Sequence, residues 1–217
     1  MRHLVYVLAL LLACGGAASP PPSASHGYHM RFDDAEGFAK RFDDPSRDAW
    51  QKPDEVLRVL ALRPDSVVAD VGSGTGYFAV RIARAVPQGR VYGVDVEASM
   101  TEYLTKRAAK EGLANLRAVT SPKDDPKLPE PVDEVLVVDT YHHIDARETY
   151  FAKVRASLKP GGRVVLVDFK LDSPEGPPAE HRVPPDQARA EMSKAGYRVE
   201  ASPDVLPYQY VLVFTVP

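Results

Sequence analysis

Residues 67–78 read VVADVGSGTGYF. An apolar run ends in an acid, three alternate glycines follow, and an aromatic pair begins the next apolar stretch. This pattern predicts a buried strand, a tight turn and the first turn of a helix. Gly72, Gly74 and Gly76 carry no Cβ, so a ligand can lie directly against the backbone of the turn. The stretch therefore predicts a nucleotide-type binding site at the carboxyl end of a parallel strand.

The spacing of the glycines separates this turn from a dinucleotide site. The dinucleotide fingerprint reads G-x-G-x-x-G, whereas this chain reads G-x-G-x-G, with Tyr77 in place of the third glycine. Asp70 precedes the turn, and a carboxylate there repels a pyrophosphate and attracts a cationic ligand. The segment resembles the first motif of the class I S-adenosylmethionine-dependent methyltransferases, an acid-x-G-x-G-x-G turn. A hydride-transferring dinucleotide enzyme is the less favoured alternative. The resemblance implies that S-adenosylmethionine, as methyl donor, contacts Asp70, Gly72, Ser73, Gly74 and Gly76.

The composition is that of one globular domain. The chain has 217 residues, of which 44% are hydrophobic and 26% charged, so it is long enough to bury a full core. The formal net charge is −3, which leaves no basic excess to neutralise a phosphate backbone. We therefore expect no nucleic-acid partner. Cys14 is the only cysteine, which excludes an internal disulfide.

The N-terminal residues predict a targeting segment. A basic start and an apolar run too short to span a bilayer are typical of a secretory signal peptide, here over residues 1–14. Its last four residues, LLAC, resemble the bacterial lipobox. The resemblance implies export and a lipid anchor through Cys14 on the periplasmic side of the cell envelope. If translation starts at Met30 instead, the protein is cytoplasmic. Residues 15–28 are rich in Pro and Ser and predict an extended tether.

The folded domain is predicted over residues 29–217, with 29–62 as an N-terminal helical cap. Alternating strand and helix patterns favour a doubly wound, mostly parallel α/β sheet. A closing hairpin with no helix between its strands resembles the seven-stranded, Rossmann-like sheet of the class I methyltransferases. We predict helices over 33–42, 53–62, 77–85, 98–110, 147–158 and 184–195, and strands over 66–71, 90–95, 116–120, 133–139, 163–169, 198–202 and 208–216.

Further candidate cofactor residues follow the second and third strands. Asp95 ends the second strand, where a carboxylate can accept hydrogen bonds from a ribose diol. Val96 and Met100 follow it and either flank the adenine or belong to the core. Family members often place an acid after the third strand to accept the adenine amino group. Asp124 and Asp125 both fit that place, and the sequence does not choose between them.

The fourth strand ends in the sequence DTYHHI, residues 139–144. Asp139 lies at the carboxyl edge of the sheet, beside the cofactor, and the segment resembles an aromatic-His turn of quinone-biosynthesis methyltransferases. His142 or His143 is a candidate general base, because the pKa of an imidazole lies near neutrality. The alternative is that one of them packs against the sheet. Tyr141 and Asp168 are weaker candidates. Adjacent histidines lack the helical spacing of a metal motif, so we predict no metal site.

Two segments are candidates for covering the site. Residues 170–185 form a proline-rich loop, in which His181 and Arg182 either meet an anionic group of the substrate or cofactor or belong to a rigid surface loop. Trp50 either covers the cofactor or is buried core. We expect methyl transfer to a small-molecule or envelope-associated acceptor. The alternatives are a methyltransferase of protein side chains and a non-catalytic protein that binds an S-adenosyl compound or nucleoside.

Overall fold

A computed structural model describes residues 34–217. The predicted signal peptide, the tether and the beginning of the predicted cap lie outside the described residues. The helices are α1 (Ala35–Phe42), α2 (Arg47–Gln51), α3 (Pro53–Leu60), α4 (Tyr77–Ala85), α5 (Ala98–Lys110), α6 (Arg147–Ala156) and α7 (Pro185–Lys194). The strands are β1 (Val67–Val71), β2 (Arg90–Asp95), β3 (Leu116–Thr120), β4 (Val132–Val138), β5 (Leu158–Phe169), β6 (Arg198–Ala201) and β7 (Gln209–Thr215).

The strands form one seven-stranded sheet in the order β3-β2-β1-β4-β5-β7-β6. The first five are parallel, and β7 runs antiparallel to both β5 and β6. This confirms the predicted doubly wound sheet with its C-terminal antiparallel hairpin. The strand order reverses between β1 and β4, so the turns that follow these two strands meet at one edge. Open α/β sheets bind their ligands at such a point.

Two apolar cores cover the two faces of the sheet. On one face, Leu60 of α3, Ile82 of α4 and Leu104 of α5 pack against the strands. On the other, Phe151 of α6 and Met192 of α7 do so. Both layers explain why β1 is buried at every residue and reads as a continuous apolar run rather than an alternating one.

The observed elements differ from the predicted ones at two places. Helix α2 was not predicted, because five residues are too few to show a helical period. It is separated from α3 by Lys52, whose φ of 41° breaks the helix. Strand β5 begins at Leu158, five residues before the predicted start at residue 163. Leu158 pairs with Val132 and Arg163 with Glu134, so residues 159–162 bulge from the strand.

A helix that crosses a bilayer must be both long and apolar. Over residues 34–217, none of the helices combines the length and the apolar character that a membrane crossing needs.

Candidate functional site

A cavity of about 640 Å³ opens at the carboxyl edge of the sheet. Its floor is the turn after β1, its sides are the segments after β2 and β4, and its cover comes from the cap and the proline-rich loop. Of the predicted cofactor residues, those in the cavity wall are Asp70, Gly72, Ser73, Gly74, Asp95, Val96, Met100 and Asp139.

The glycine turn is shaped by its protein neighbours as well as by space for a ligand. Gly72 has a φ of 75°, and a Cβ there would overlap the Thr140 hydroxyl. Gly76 has a φ of 94°, and a Cβ there would overlap Leu104. Gly76 is buried and does not line the cavity, so the structure does not place it against a ligand as predicted. Only the first part of the turn faces the cavity.

Asp95 ties the glycine turn to the segment after β2. One carboxylate oxygen accepts a hydrogen bond from Gly74 N at 2.8 Å, and the other accepts one from Glu97 N at 3.0 Å. Burial raises the pKa of the Asp95 carboxyl against the opposing effect of these bonds. Beside it, Val96 is 45% exposed and Met100 is 1% exposed, and both lie in the cavity wall. An apolar slot therefore adjoins a fixed carboxylate.

The two acids predicted after the third strand lie away from the cavity. Asp124 is 81% exposed at its side chain and forms an ion pair with Lys153, at 3.1 Å from its Nζ. Asp125 accepts a hydrogen bond from Lys127 N at 2.9 Å. Neither lines the cavity wall, where this loop contributes Ser121 and Lys123 instead. The structure thus places both acids away from the cavity, and their predicted contact with the adenine stays a prediction.

Two buried acids lie where β1 and β4 end. Burial raises the pKa of Asp70 to about 7, and it also raises the pKa of Asp139 to about 7. Asp139 adopts a φ of 53°, which is uncommon for a residue other than glycine. Its carboxylate accepts a hydrogen bond from Gln209 and lies 3.2 Å from the Arg47 guanidinium. A cationic ligand would relieve the cost of ionising both acids.

His142 and Asp168 form a buried pair beside these acids. The imidazole Nδ1 lies 2.8 Å from Asp168 Oδ1, and the backbone N–H of His142 donates to Oδ2 at 3.1 Å. Burial alone lowers the pKa of His142, but the charge and hydrogen bond of Asp168 outweigh it, and the net pKa is raised. His142 lines the cavity, whereas Asp168 does not. Asp168 therefore contacts the cavity only through His142, whose orientation and charge it influences.

The other two candidates after β4 have different surroundings. The ring of His143 lies 4.2 Å from that of His142, and both line the cavity. Tyr141 is fully buried outside the cavity wall, and its hydroxyl donates to Glu191 at 2.7 Å. Burial and the Glu191 charge raise the pKa of Tyr141. This placement excludes the predicted role of Tyr141 as a base in the cavity.

The proline-rich loop contributes backbone and proline rings to the cavity, through residues 175–178. Arg182 does not face the cavity. Its guanidinium donates to the carbonyl oxygens of Lys170, Leu171, Ser173, Glu175 and Pro177. Of the two predicted alternatives for Arg182, the contacts favour the rigid surface loop, because its donors hold the loop together. His181 is exposed and also lies outside the cavity wall.

Sequence reasoning missed several cavity residues. Arg47 lies on the unpredicted helix α2, and its carboxylate partner Asp139 is 92 residues away in the chain. Phe169 ends β5, 6.2 Å from the ring of Trp50. Thr75 lies inside the glycine motif, and its burial marks it only once the turn is folded. Among residues 34–217, no group of three or more acids, histidines or cysteines is arranged to hold a metal ion.

Known proteins share this arrangement. Residues 68–162 match the family model described as a methyltransferase domain. A solved S-adenosylmethionine-dependent methyltransferase from Aquifex aeolicus superposes with a TM-score of 0.78 at 27% identity, covering 85% of this chain and 99% of that one. The comparisons support a class I S-adenosylmethionine-dependent methyltransferase. Its fold agrees with the neighbour, and its cosubstrate is S-adenosylmethionine.

Two curated relatives add to this methyltransferase assignment. The 27-O-demethylrifamycin SV methyltransferase of Amycolatopsis mediterranei is 30% identical over 171 residues, which are 71% of this chain and 62% of that protein. A ubiquinone/menaquinone biosynthesis C-methyltransferase of Cupriavidus taiwanensis is 31% identical over 112 residues, 50% of this chain and 45% of that protein. The chain therefore spans less than two thirds of the length of either relative.

The cavity of this methyltransferase fits the donor on its own geometry. Ser73 Oγ and Thr75 Oγ1 are buried in the glycine turn without a hydrogen-bond partner among the described residues. Such orphaned groups are costly unless a ligand satisfies them. Asp95, Asp70 and Asp139 also line the cavity. The Asp95 carboxylate could accept hydrogen bonds from a ribose, and the other two acids suit an ammonium or sulfonium. The donor's polar groups therefore have matching partners in the wall.

Proposed function

We propose that the protein methylates a small-molecule acceptor at a hydroxyl or an acidic carbon, with His142 as the general base. The observation that carries this proposal is the buried His142–Asp168 pair in the wall of the cavity. A carboxylate on one imidazole nitrogen fixes the ring and stabilises its charged form, which is the arrangement that base catalysis needs.

The chain's own residues would divide the work as follows. When bound, S-adenosylmethionine supplies an electrophilic methyl group on a sulfonium that leaves as a neutral sulfide. Asp168 holds the proton on His142 Nδ1, which makes Nε2 the basic atom. As the acceptor's bond to the methyl carbon forms, the acceptor's proton passes to Nε2. The rest of the wall contributes by holding both partners in line, which lowers the entropic part of the barrier.

The far wall of the cavity suggests the shape of the acceptor. The part of the wall beyond His142 includes Trp50, Phe169 and the prolines Pro177 and Pro178. The Trp50 and Phe169 rings are 6.2 Å apart, with 39° between their planes. Aromatic rings and prolines suit a flat apolar molecule better than a peptide side chain. The two curated relatives, by their names, also methylate small molecules.

A turnover assay with two simple acceptors tests the proposal. The full chain is incubated with S-adenosylmethionine and either 1-naphthol or 1,4-naphthohydroquinone, and S-adenosylhomocysteine and the methylated product are quantified by mass spectrometry. We expect product that depends on the acceptor and on His142. S-adenosylhomocysteine binding by calorimetry, without turnover across a wider set of hydroxyl-bearing ring acceptors, would instead favour the non-catalytic binding protein.

We also propose, from the N-terminal residues alone, that the protein is exported and lipid-anchored through Cys14 in the cell envelope. The LLAC sequence after an apolar run supports this. Mass spectrometry of the protein purified from its own cells tests it. A mature chain that begins at Cys14 with a diacylglyceryl mass increment is expected, and an unmodified chain that begins at Met30 contradicts it.

A further inference from the structure

Gly176, at the tip of the loop after β5, lies directly against the ring of Phe169. Its φ is 93°, and a Cβ on it would lie 2.6 Å from Phe169 Cγ, which is closer than two such carbons can approach. Both residues line the cavity. The backbone of the loop tip therefore rests on this ring, and no side chain fits between them.

Arg182 holds the peptide groups on both sides of Gly176. Its Nη2 donates to the carbonyl oxygen of Glu175 at 3.1 Å, and its Nε donates to that of Pro177 at 2.8 Å. The backbone N–H of Glu175 donates to Ser173 Oγ at 3.1 Å. Contacts within the loop thus fix the place of Gly176, although Gly176 itself is exposed.

Phe169 connects the loop tip to the candidate base. The centroid of its ring lies 6.2 Å from that of His142 and 6.2 Å from that of Trp50. All three side chains line the cavity. The space beside His142 is therefore bounded by the Phe169 ring and by the loop tip that rests on it.

Of the two surfaces in contact, the loop tip is the one that can move. Phe169 is 5% exposed, and its backbone pairs with Gln209 in the sheet. Glu175 and Pro178, on either side of Gly176, are exposed. A ring in a close-packed interior resists displacement more than an exposed loop does. A side chain added at position 176 should therefore lift the loop tip and widen the cavity above Phe169.

We propose that Gly176 is a specificity-determining residue, whose contact with Phe169 limits the size of the ring system that the acceptor site admits beside His142. Arg182 is the positioning residue that holds Gly176 in this contact from outside the cavity wall. This inference rests on the proposed function, because it concerns the acceptor of that reaction. It narrows the acceptor from any flat apolar molecule to one of limited ring count.

The experiment compares three acceptors that differ in size and share one hydroxyl. Phenol, 1-naphthol and 1-anthrol have one, two and three fused rings. For the full chain and for Gly176→Ala, kcat and KM are measured with S-adenosylmethionine, and acceptor affinity is measured by calorimetry with S-adenosylhomocysteine at saturation. We expect Gly176→Ala to raise the kcat/KM ratio of 1-anthrol to 1-naphthol by about tenfold, with a parallel change in affinity. S-adenosylhomocysteine affinity should stay within about threefold.

Gly161→Ala is the matched control. Gly161 has a φ of 77°, so alanine there meets similar backbone strain, but nothing lies within 4 Å of its Cβ position. It belongs to the bulge of β5 and does not line the cavity. Its acceptor ratios should therefore equal those of the unsubstituted chain.

Arg182→Gln tests the positioning role without a change at Gly176. It removes the donors to Glu175 and Pro177, so the acceptor ratio should shift in the same direction. If both variants act by releasing the loop tip, the double variant should shift the ratio by clearly less than the product of the two single shifts. Independent, multiplying shifts would contradict the role given to Arg182.

The outcomes that overturn the inference are distinct from failure of the proposed function. If Gly176→Ala lowers kcat/KM equally for all three acceptors, Gly176 only supports the loop. If the ratio is unchanged, or moves toward phenol, the loop tip does not set the upper size limit. If acceptors bind but no product forms, methyl transfer to them fails, and the calorimetric ratios alone decide the role of Gly176. If no acceptor binds, the inference fails.

Discussion

At the scale of single residues, His142 and Asp168 divide one task between two strand ends. His142 follows β4 and lines the cavity, while Asp168 lies within β5 and is 1% exposed. The parallel register of β4 and β5 brings Val138 beside Val167, and this places the two side chains within reach of each other. Asp168 is thus held by β5, and His142 by the short 3-10 turn, Tyr141–His143, that follows β4.

Replacing His142 by alanine should reduce kcat by about a hundredfold to ten-thousandfold, the usual contribution of a general base. The affinity for S-adenosylhomocysteine should stay within about threefold, because the base faces the acceptor. Product formation and calorimetry measure the two quantities. His143→Ala is the neighbouring comparison and should lose less, since the Asp168 contact belongs to His142. A larger loss in His143→Ala would move the base to that residue.

The pH profile should report the Asp168 charge. The pKa of His142 is raised, so the acidic limb of kcat should lie above the ordinary imidazole value of about 6.5. Asp168→Asn removes the charge that raises this pKa, and the limb should move to lower pH as overall kcat falls. The measurement is kcat between about pH 5 and 9 for both proteins. If the acidic limb does not move in Asp168→Asn, the pH dependence of kcat does not arise from His142.

At the scale of elements, the sequence patterns predicted the positions of most strands and helices. The glycine turn, Asp95 and Asp139 follow strands whose apolar runs are continuous, so their place at the sheet edge could be predicted. Helix α2 could not, because its position depends on the Gln51–Gln209 contact, 158 residues apart. The directions of Asp124 and Tyr141 depend on Lys153 and Glu191, which no local pattern reveals.

A comparison of Gly72, in the turn after β1, with Gly112, after α5, distinguishes the cost of backbone strain from the cost of steric crowding. Gly72 and Gly112 have φ values of 75° and 68°, but a Cβ on Gly72 would overlap Thr140, while Gly112 has nothing within 4 Å of that position. Gly112→Ala should cost about 1 kcal/mol from backbone strain alone. Gly72→Ala should cost clearly more, or fail to fold, because the ends of β1 and β4 must separate. Chemical denaturation measures both, and equal costs would contradict the crowding argument.

At the scale of the whole molecule, several buried groups share one direction of pH dependence. The pKa values of Asp70, Glu134 and Asp139 are each raised to about 7, chiefly by burial, and that of His142 is raised by Asp168. The folded state therefore binds more protons than the unfolded state between about pH 5 and 7. Acids with lowered pKa values, such as Glu130, titrate below this window.

Unfolding free energy should therefore fall as pH rises from about 5 through 7, and thermal unfolding across this range measures it. Glu134→Gln should flatten the slope, because it removes a carboxyl whose pKa burial has raised. Glu134 lies outside the cavity, and one of its carboxylate oxygens has no hydrogen-bond partner among the described residues. Saturation with S-adenosylhomocysteine should flatten it too, since an ammonium favours the ionised acids. Stability that rises over this window would contradict these pKa directions.

The Arg182 contacts make the loop after β5 a structural unit held by its own hydrogen bonds. The Arg182 guanidinium donates hydrogen bonds to five carbonyl oxygens of residues 170–177. Contacts within the loop therefore help to hold its shape. Its tip forms one wall of the cavity, while the donor turn lies on other strands. We therefore expect that this segment can be exchanged as one unit. Under the proposed function, such an exchange would change the acceptor that is methylated and leave the donor site in place.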